Sequence, residues 1–318
     1  MQVRGNGDAG GAERGRGVLQ GVHDARALKV AERQFGRISR TQLLAAGMST
    51  NAITHRVRTG RLVIVDCGVF AFAPVLAHDP WGRWMAATLS HPGNVLCRLS
   101  ATVARGILSL EGPLVTVTRD GSGGPRRLGN AIVHRCDLPD GDVTTLRGIP
   151  ITTVPRTLVD IAPLVSDKAL ARAVREAVRL GQLTLPELGD ALGRYRGRRG
   201  IRALAETVAR YSGLPLERAR SGAEVVAMEL LQGAATPLPR LNVDVAGEEA
   251  DLSWPAWRLI IEIDGGPFHR DRGEDARKEA VWRGAGWEVR RLPSDDVYER
   301  PWRLLECAAP PNVHLDHA

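Results

Sequence analysis

Between Leu259 and Asp264 an apolar run is broken twice by carboxylates, Glu262 and Asp264. The segment 258–264 is rich in isoleucine and reads as a strand. Side chains alternate along a strand, so Leu259, Ile261 and Ile263 are expected on one face and Glu262 and Asp264 on the other, roughly 7 Å apart at Cα. Unpaired carboxylates in such a strand would cost several kcal/mol, so the fold has to bring something positive to them. Residues 241–246 and 251–254 read as two preceding strands, joined by turns at Gly247-Glu248-Glu249 and Pro255-Ala256-Trp257, and a helix over 222–231 carries Glu224. That order, a helix and then a β-meander, lets Asp251 converge on Glu262 and Asp264. Three oxygen donors with no thiolate suit a hard divalent ion, Mg²⁺ or Mn²⁺, which can lower the pKa of a bound water.

Charge points the same way. The chain has 318 residues, 43 Lys and Arg against 36 Asp and Glu, and the basic excess is nearly all arginine. Net charge is +6 over residues 1–78, +8 over 79–220 and −7 over 221–318. A basic front suits a polyanion such as double-stranded DNA, whereas the acidic last third needs cations to approach phosphate. Cys67, Cys97, Cys136 and Cys307 have no Cys-x-x-Cys spacing and read as small core hydrophobes in a reducing, cytoplasmic setting. No apolar run reaches the ~18 residues a bilayer span needs, and the Gly/Arg-rich start has no hydrophobic signal region, so no membrane is expected.

Residues 1–22 are expected to form a disordered tail, followed by a compact reader over 23–78. Leu28, Ala31 and Phe35 lie at helical spacing in a first helix ending near Gly36. Ser39 with Gln42 is a capping box opening a helix over 40–46, and Ser49 caps a third. In that third helix Ile53 and Val57 face inward, while Asn51, Thr54, His55 and Arg58 form a polar face able to read base edges before Gly60. Residues 62–65 and 69–72 read as a hairpin wing, with Arg61 entering it where a phosphate contact is expected. Over residues 25–75 the pattern Gly36 to Leu44, Ser49 to Leu62 and Gly68 to Ala71 resembles the winged helix of type IV abortive-infection antitoxins (AbiEi). The resemblance implies operator binding through the third helix and a cognate toxin or self-association as further partners; docking to protein alone is the plainer alternative.

A middle α/β region over 79–165 has helices near 81–90 and 98–109 and strands at 114–118 and 131–135. The glycines of the 119–129 loop read as a flexible excursion and not a phosphate loop, because no Gly-Lys-Ser/Thr follows. Residues 149–160 read as a strand running into a helix in which Arg156 and Asp160 form a modest surface or interdomain pair. A helical linker over 166–219 follows, with caps at Ser166 and Thr184 and a dense basic stretch from Arg194 to Arg199.

Over residues 220–310, Glu224, Asp251 to Pro255, Glu262 to Gly265 with His269, Asp275 and Lys278, Gly286-Trp287 and Asp296 together resemble the PD-(D/E)xK nuclease superfamily, and within it the very-short-patch-repair-like domains. The resemblance implies a metal-dependent DNA endonuclease with a restriction-endonuclease-like core. Asp264 stands where many members carry lysine, leaving His269 or Lys278 to supply positive charge or proton transfer. Plainer roles stay open: Glu224 as half of a cap with Ser221, Asp275 and Lys278 as an exposed helix pair, His269 as a salt-bridged surface group, and Trp254 and Trp287 as core or edge packing. The expected architecture is therefore a multidomain α+β and α/β chain: winged helix-turn-helix, α/β middle region, and nuclease-like α/β core. Two functions follow from it, a DNA endonuclease or a non-catalytic antitoxin-like regulator on a degenerate nuclease fold.

Overall fold

Ala27 and Ala31 are buried one turn apart on helix α1 (Ala9–Glu32), where they anchor the first small core. The computed structural model describes residues 9–72, 79–109, 111–265 and 272–311. Its contacts divide into two compact units, Met1–Ile161 and Ala162–Ala318. The α1 helix starts inside the stretch read as a disordered tail; once anchored, a helix extends at far less cost than it nucleates. The expected capping box is present, Ser39 Oγ accepting the Gln42 N–H while Gln42 accepts that of Ser39, and it opens α2 (Arg40–Ala45). Ser49 Oγ accepts the Ala52 N–H at the start of α3 (Thr50–Arg58). Strands β1 (Arg37–Ser39), β2 (Leu62–Asp66) and β3 (Val69–Phe72) form an antiparallel sheet in the order β1-β3-β2. Ile38, Leu43, Ile53, Leu62 and Phe70 fill the space between that sheet and the helices.

The same unit continues through α4 (Pro80–Leu89) and β4 (Val95–Leu96), then α5 (Arg98–Ala104) and β5 (Val115–Asp120). It ends with β6 (Arg126–Leu128), β7 (Ala131–Cys136), β8 (Val143–Leu146), β9 (Ile149–Thr152) and α6 (Val154–Ile161). The six strands lie in the order β6-β7-β5-β4-β9-β8, with β5 beside β7 and β4 beside β9 parallel. Two features depart from the sequence reading. The glycine-rich loop contains strand β6, which pairs antiparallel with β7. An unforeseen strand, β8, closes a hairpin onto β9 across Arg147 and Gly148, whose positive φ values (49° and 81°) give the primed turn that matches strand twist.

Arg156 corrects the expectation of a modest surface or interdomain pair, being only 1 % exposed. Its guanidinium donates to Asp142 Oδ2 at 2.6 Å, to both Asp160 oxygens at 3.0 Å and to the Asp137 carbonyl at 3.2 Å, with Cys136 Sγ at 3.0 Å. Helix α6 is covered nearly all round, with Val154, Thr157, Leu158, Val159 and Ile161 buried as well, so Arg156 is carried inside with it.

The second unit opens with α7 (Asp167–Arg179), α8 (Leu185–Arg194) and α9 (Ile201–Tyr211), and the Ser166 and Thr184 caps are both present. Buried Tyr195 lies under the guanidinium groups of Arg194 and Arg198 in the basic stretch. Gly200, which starts α9 at φ 82°, has no room for a Cβ: one would fall 2.6 Å from Pro163 N and 2.7 Å from the Ala162 carbonyl carbon. Gly200→Ala should therefore lower unfolding free energy by at least about 1–3 kcal/mol, read as a lower urea midpoint.

After α10 (Gly222–Gly233), strands β10 (Arg240–Val245), β11 (Glu248–Trp254) and β12 (Leu259–Asp264) form the expected meander. Helix α11 (Arg272–Gly284) then leads to β13 (Glu288–Pro293), parallel to β12, and α12 (Ser294–Glu299) and α13 (Pro301–Cys307) complete the unit. Leu259, Ile260 and Ile261 are all fully buried, so β12 is covered on both faces over its first half and alternation is not its organising pattern. An inner strand with a parallel neighbour is sealed on both sides, which is why its sequence reads as an apolar run. Trp282 on α11 is fully buried and donates to the Val245 carbonyl at 3.0 Å, fixing the helix on the sheet. Cys97 is buried and Cys67 exposed at the β2–β3 turn, so the core reading holds for only part of the cysteine set. Among the described residues, no helix is long and apolar enough to cross a membrane.

Candidate functional site

Backbone pairing between β11 and β12 runs from Trp254↔Leu259 to Leu252↔Ile261 and stops there. One step further, side chains take over the ladder. Glu262 Oε1 accepts the Asp251 N–H at 2.9 Å, and Asp251 Oδ2 accepts the Ile263 N–H at 2.8 Å. On the other side of β11, pairing with β10 skips one position between Leu241↔Leu252 and Val243↔Ala250. The skipped residue is Asn242, held at φ 47°. Its Nδ2 donates to the Arg218 carbonyl at 2.9 Å and to Glu224 Oε2, while its Oδ1 is buried with no hydrogen-bond partner among the described residues. Asp251 thus sits where both neighbouring ladders are interrupted.

Glu224, buried near the start of α10, is held by Asn242 and by the Arg220 N–H, which its Oε2 accepts at 2.9 Å. Ser221 Oγ caps the Glu224 N–H, but the carboxylate does not return to Ser221. The capping alternative is therefore half met, and the carboxylate is turned toward the sheet.

Burial and the facing Glu262 carboxylate push the Asp251 carboxyl up to about 7, with Glu224 adding to the effect and Lys278 opposing it. Burial also pushes Glu262 up, against the pull of the Asp251 N–H, Lys278 and Arg291. Both shifts have one meaning: two acids share a half-buried space with too little positive charge. Lys278, half-buried on α11, lies close enough for its charge to lower the proton affinity of both acids.

Asp264 lies differently. Arg291 on β13 donates to its Oδ1 at 2.9 Å and also pairs with Asp275 at 3.5 Å and Glu279 at 3.4 Å. Glu262 and Asp264 are neighbours on one face, yet Asp264 and Asp275 belong to a cluster around Arg291. Among the described residues no group of three His, Cys, Asp or Glu is gathered closely enough to hold a metal ion. The donor set nevertheless fits one: two oxygen donors with raised proton affinity, beside a buried oxygen that lacks a donor, suit Mg²⁺, which is held by one or two carboxylates plus waters and substrate phosphate. His269 lies outside the described residues. Asn242, Arg220 and Arg291 are the participants sequence reasoning missed; an asparagine between the apolar Leu241 and Val243 of the strand was the one available signal.

In the first unit Asn51, Thr54, His55 and Arg58 are all exposed on α3, as is Arg61 at the entrance to β2. Arg56, on the same helix, is turned inward, 4 % exposed, and forks onto Asp24 of α1 at 2.8 and 3.1 Å. That part-buried pair sets the rotation of α3 and so which side chains reach solvent.

No family model matches the chain. It is 26 % identical over 281 residues to an uncharacterized protein of Mycobacterium tuberculosis strain CDC 1551 / Oshkosh, an alignment covering 85 % of this chain and 98 % of that protein. The same identity and coverage hold for an uncharacterized protein of strain H37Rv. The likeness therefore extends through both compact units.

Trp254 and Trp287 take packing roles: Trp254 is buried and donates to the Pro237 carbonyl at 2.6 Å, and Trp287 packs against the core around Trp282.

Proposed function

We propose that the chain is a DNA-binding protein whose N-terminal winged helix reads double-stranded DNA and whose C-terminal unit hydrolyses phosphodiesters with Mg²⁺ or Mn²⁺. The observation that carries the catalytic half is the Asp251–Glu262 pair, two acids bridging an opened ladder, both with proton affinity raised by burial and Asp251 further raised by the Glu262 carboxylate. Asp251 and Glu262 would hold the ion. When bound, such an ion lowers the pKa of a water and draws charge from a phosphoryl oxygen. Glu224 and Asn242 hold the β10 side of the site in place, and Lys278 brings a cation to offset charge as the phosphate enters. Arg291 keeps Asp264 and Asp275 together and away from that role.

The test is nicking or linearisation of plasmid DNA by the purified full chain with Mg²⁺ or Mn²⁺. Activity lost in Glu262→Gln is expected; an intact plasmid under both ions, with DNA binding established, refutes the catalytic half. The pairing of Asp264 with Arg291 favours a second reading, a regulator of antitoxin-like kind whose nuclease fold is degenerate, acting on its own operator alone or with a toxin partner. In that case an operator footprint survives Glu262→Gln and no cutting occurs with any divalent ion.

The reading half makes its own prediction. Asn51 and Arg58 are exposed on α3, so Asn51→Ala and Arg58→Ala should each weaken binding by about 1–3 kcal/mol in a gel-shift titration. Arg61→Ala should lower the salt dependence while leaving sequence preference intact. Unchanged affinity in all three variants would remove α3 and the wing from the interface.

A further inference from the structure

A cavity of about 820 Å³ lies in the first unit at the sheet, away from α3 in the sequence, lined among others by Arg119, Arg135, Asp120, Asp140, Thr144 and Thr145. Arg119 and Arg135 are register partners on the parallel strands β5 and β7. Like charges set side by side on adjacent strands repel, so this pairing is unfavourable unless an anion is shared between them. Arg119 Nη1 is buried and has no hydrogen-bond partner among the described residues. Among the described residues Arg135 donates only a long bond, 3.4 Å, to the Ser122 carbonyl. Two guanidinium groups thus line one concavity with donors left over, and Thr144 and Thr145 of β8, both exposed, also line it.

We propose that this cavity binds a phosphomonoester small molecule of mononucleotide size. Forked guanidinium donors from two strands, with hydroxyls beside them, match the several oxygens of a terminal phosphate better than the two of a carboxylate. The volume is that of a small-molecule pocket and far exceeds a lone phosphate ion. Asp120 and Asp140 cannot touch phosphate; they accept hydrogen bonds, and so select a ligand whose remainder carries hydroxyl or amino donors. A duplex backbone is a poor occupant, because its phosphates lie on a convex surface and do not enter a concavity to meet a buried donor.

The test uses the full chain in EDTA, so that no divalent ion at Asp251 and Glu262 recruits phosphate, and titrates adenosine 5′-monophosphate, adenosine and inorganic phosphate by calorimetry and thermal shift. Saturable binding is expected for the monophosphate, weaker binding for phosphate, and none for adenosine. Arg119→Met and, because a buried substitution can impair folding, the exposed Arg135→Met should each weaken monophosphate binding by about tenfold or more. Arg58→Ala and Asp251→Asn should bind as the parent chain does. Equal binding of adenosine, unchanged binding in Arg135→Met, loss in Arg58→Ala, or no saturable binding of phosphate and monophosphate alike would each overturn the proposal.

Discussion

Asp251→Asn is expected to make the metal-free protein more stable at pH 7.5 while removing the metal-dependent cleavage proposed for the parent chain. The Asp251 carboxyl is pushed up to about 7 in the fold, by burial first and the Glu262 carboxylate second. In an unfolded chain it titrates near 4. Between those pH values the fold holds more proton than the unfolded chain, so its stability falls as pH rises from about 4 to 7. Asparagine keeps an oxygen for the Ile263 N–H and carries no charge, so it removes this penalty. A gain of about 1–3 kcal/mol is expected, allowing for partial solvent exposure, with a flatter pH dependence over the same interval. In the parent chain Mg²⁺ should raise the thermal midpoint by mass action; in the variant it should not. Cleavage should drop by about a hundredfold or more, since a ligand carboxylate supports several kcal/mol of charge stabilisation. A parent chain whose stability is flat between pH 4 and 7 and indifferent to Mg²⁺ would contradict this account of the pair, whatever its activity.

The largest purely structural effect should come from Arg156→Met. The guanidinium pairs with both Asp142 and Asp160 in a place where Asp142 is 5 % exposed and Arg156 itself 1 %. Methionine fits the volume of the aliphatic stem but leaves two carboxylates and a carbonyl without their donor. Breaking one side of a buried ion pair costs about 3–5 kcal/mol, because the abandoned charge stays in a poor solvent. Chemical denaturation should show that loss, and Asp142→Asn in the same chain should recover part of it by removing one orphaned charge. A loss below about 1 kcal/mol would mean that water reaches this network and that its burial contributes little.

How much of this was legible follows the distance over which each feature is decided. The caps at Ser39, Ser49, Ser166 and Thr184 were readable because a side-chain oxygen and the N–H it accepts lie within three residues of each other. The meander and the placement of Asp251 and Glu262 on adjoining strands were readable from apolar runs and turn glycines. Strand β8 was not, since it is two exposed threonines flanked by a half-buried valine and leucine, with no apolar period to mark them. Strand β6 was hidden for a similar reason, being two exposed arginines and a leucine beside a glycine-rich loop.

Charge partners were the least readable. Arg56 meets Asp24, Arg156 meets Asp142, and Arg291 meets Asp264, separations of 32, 14 and 27 residues. An arginine on a helix or strand can turn to either face at little local cost, and only the packed neighbour decides which. The amino-acid order by itself determined where the capped helices begin, which apolar runs become strands, and that carboxylates would meet near β12. Tertiary packing decided that two of them and not three share the opened ladder, that Asp264 is claimed by Arg291, that Asn242 interrupts β10 opposite Asp251, and that Arg119 ends with a buried donor unanswered. Local rules act through neighbouring bonds in the chain, whereas the pairing of a charge depends on which distant group is brought within reach once the core has closed.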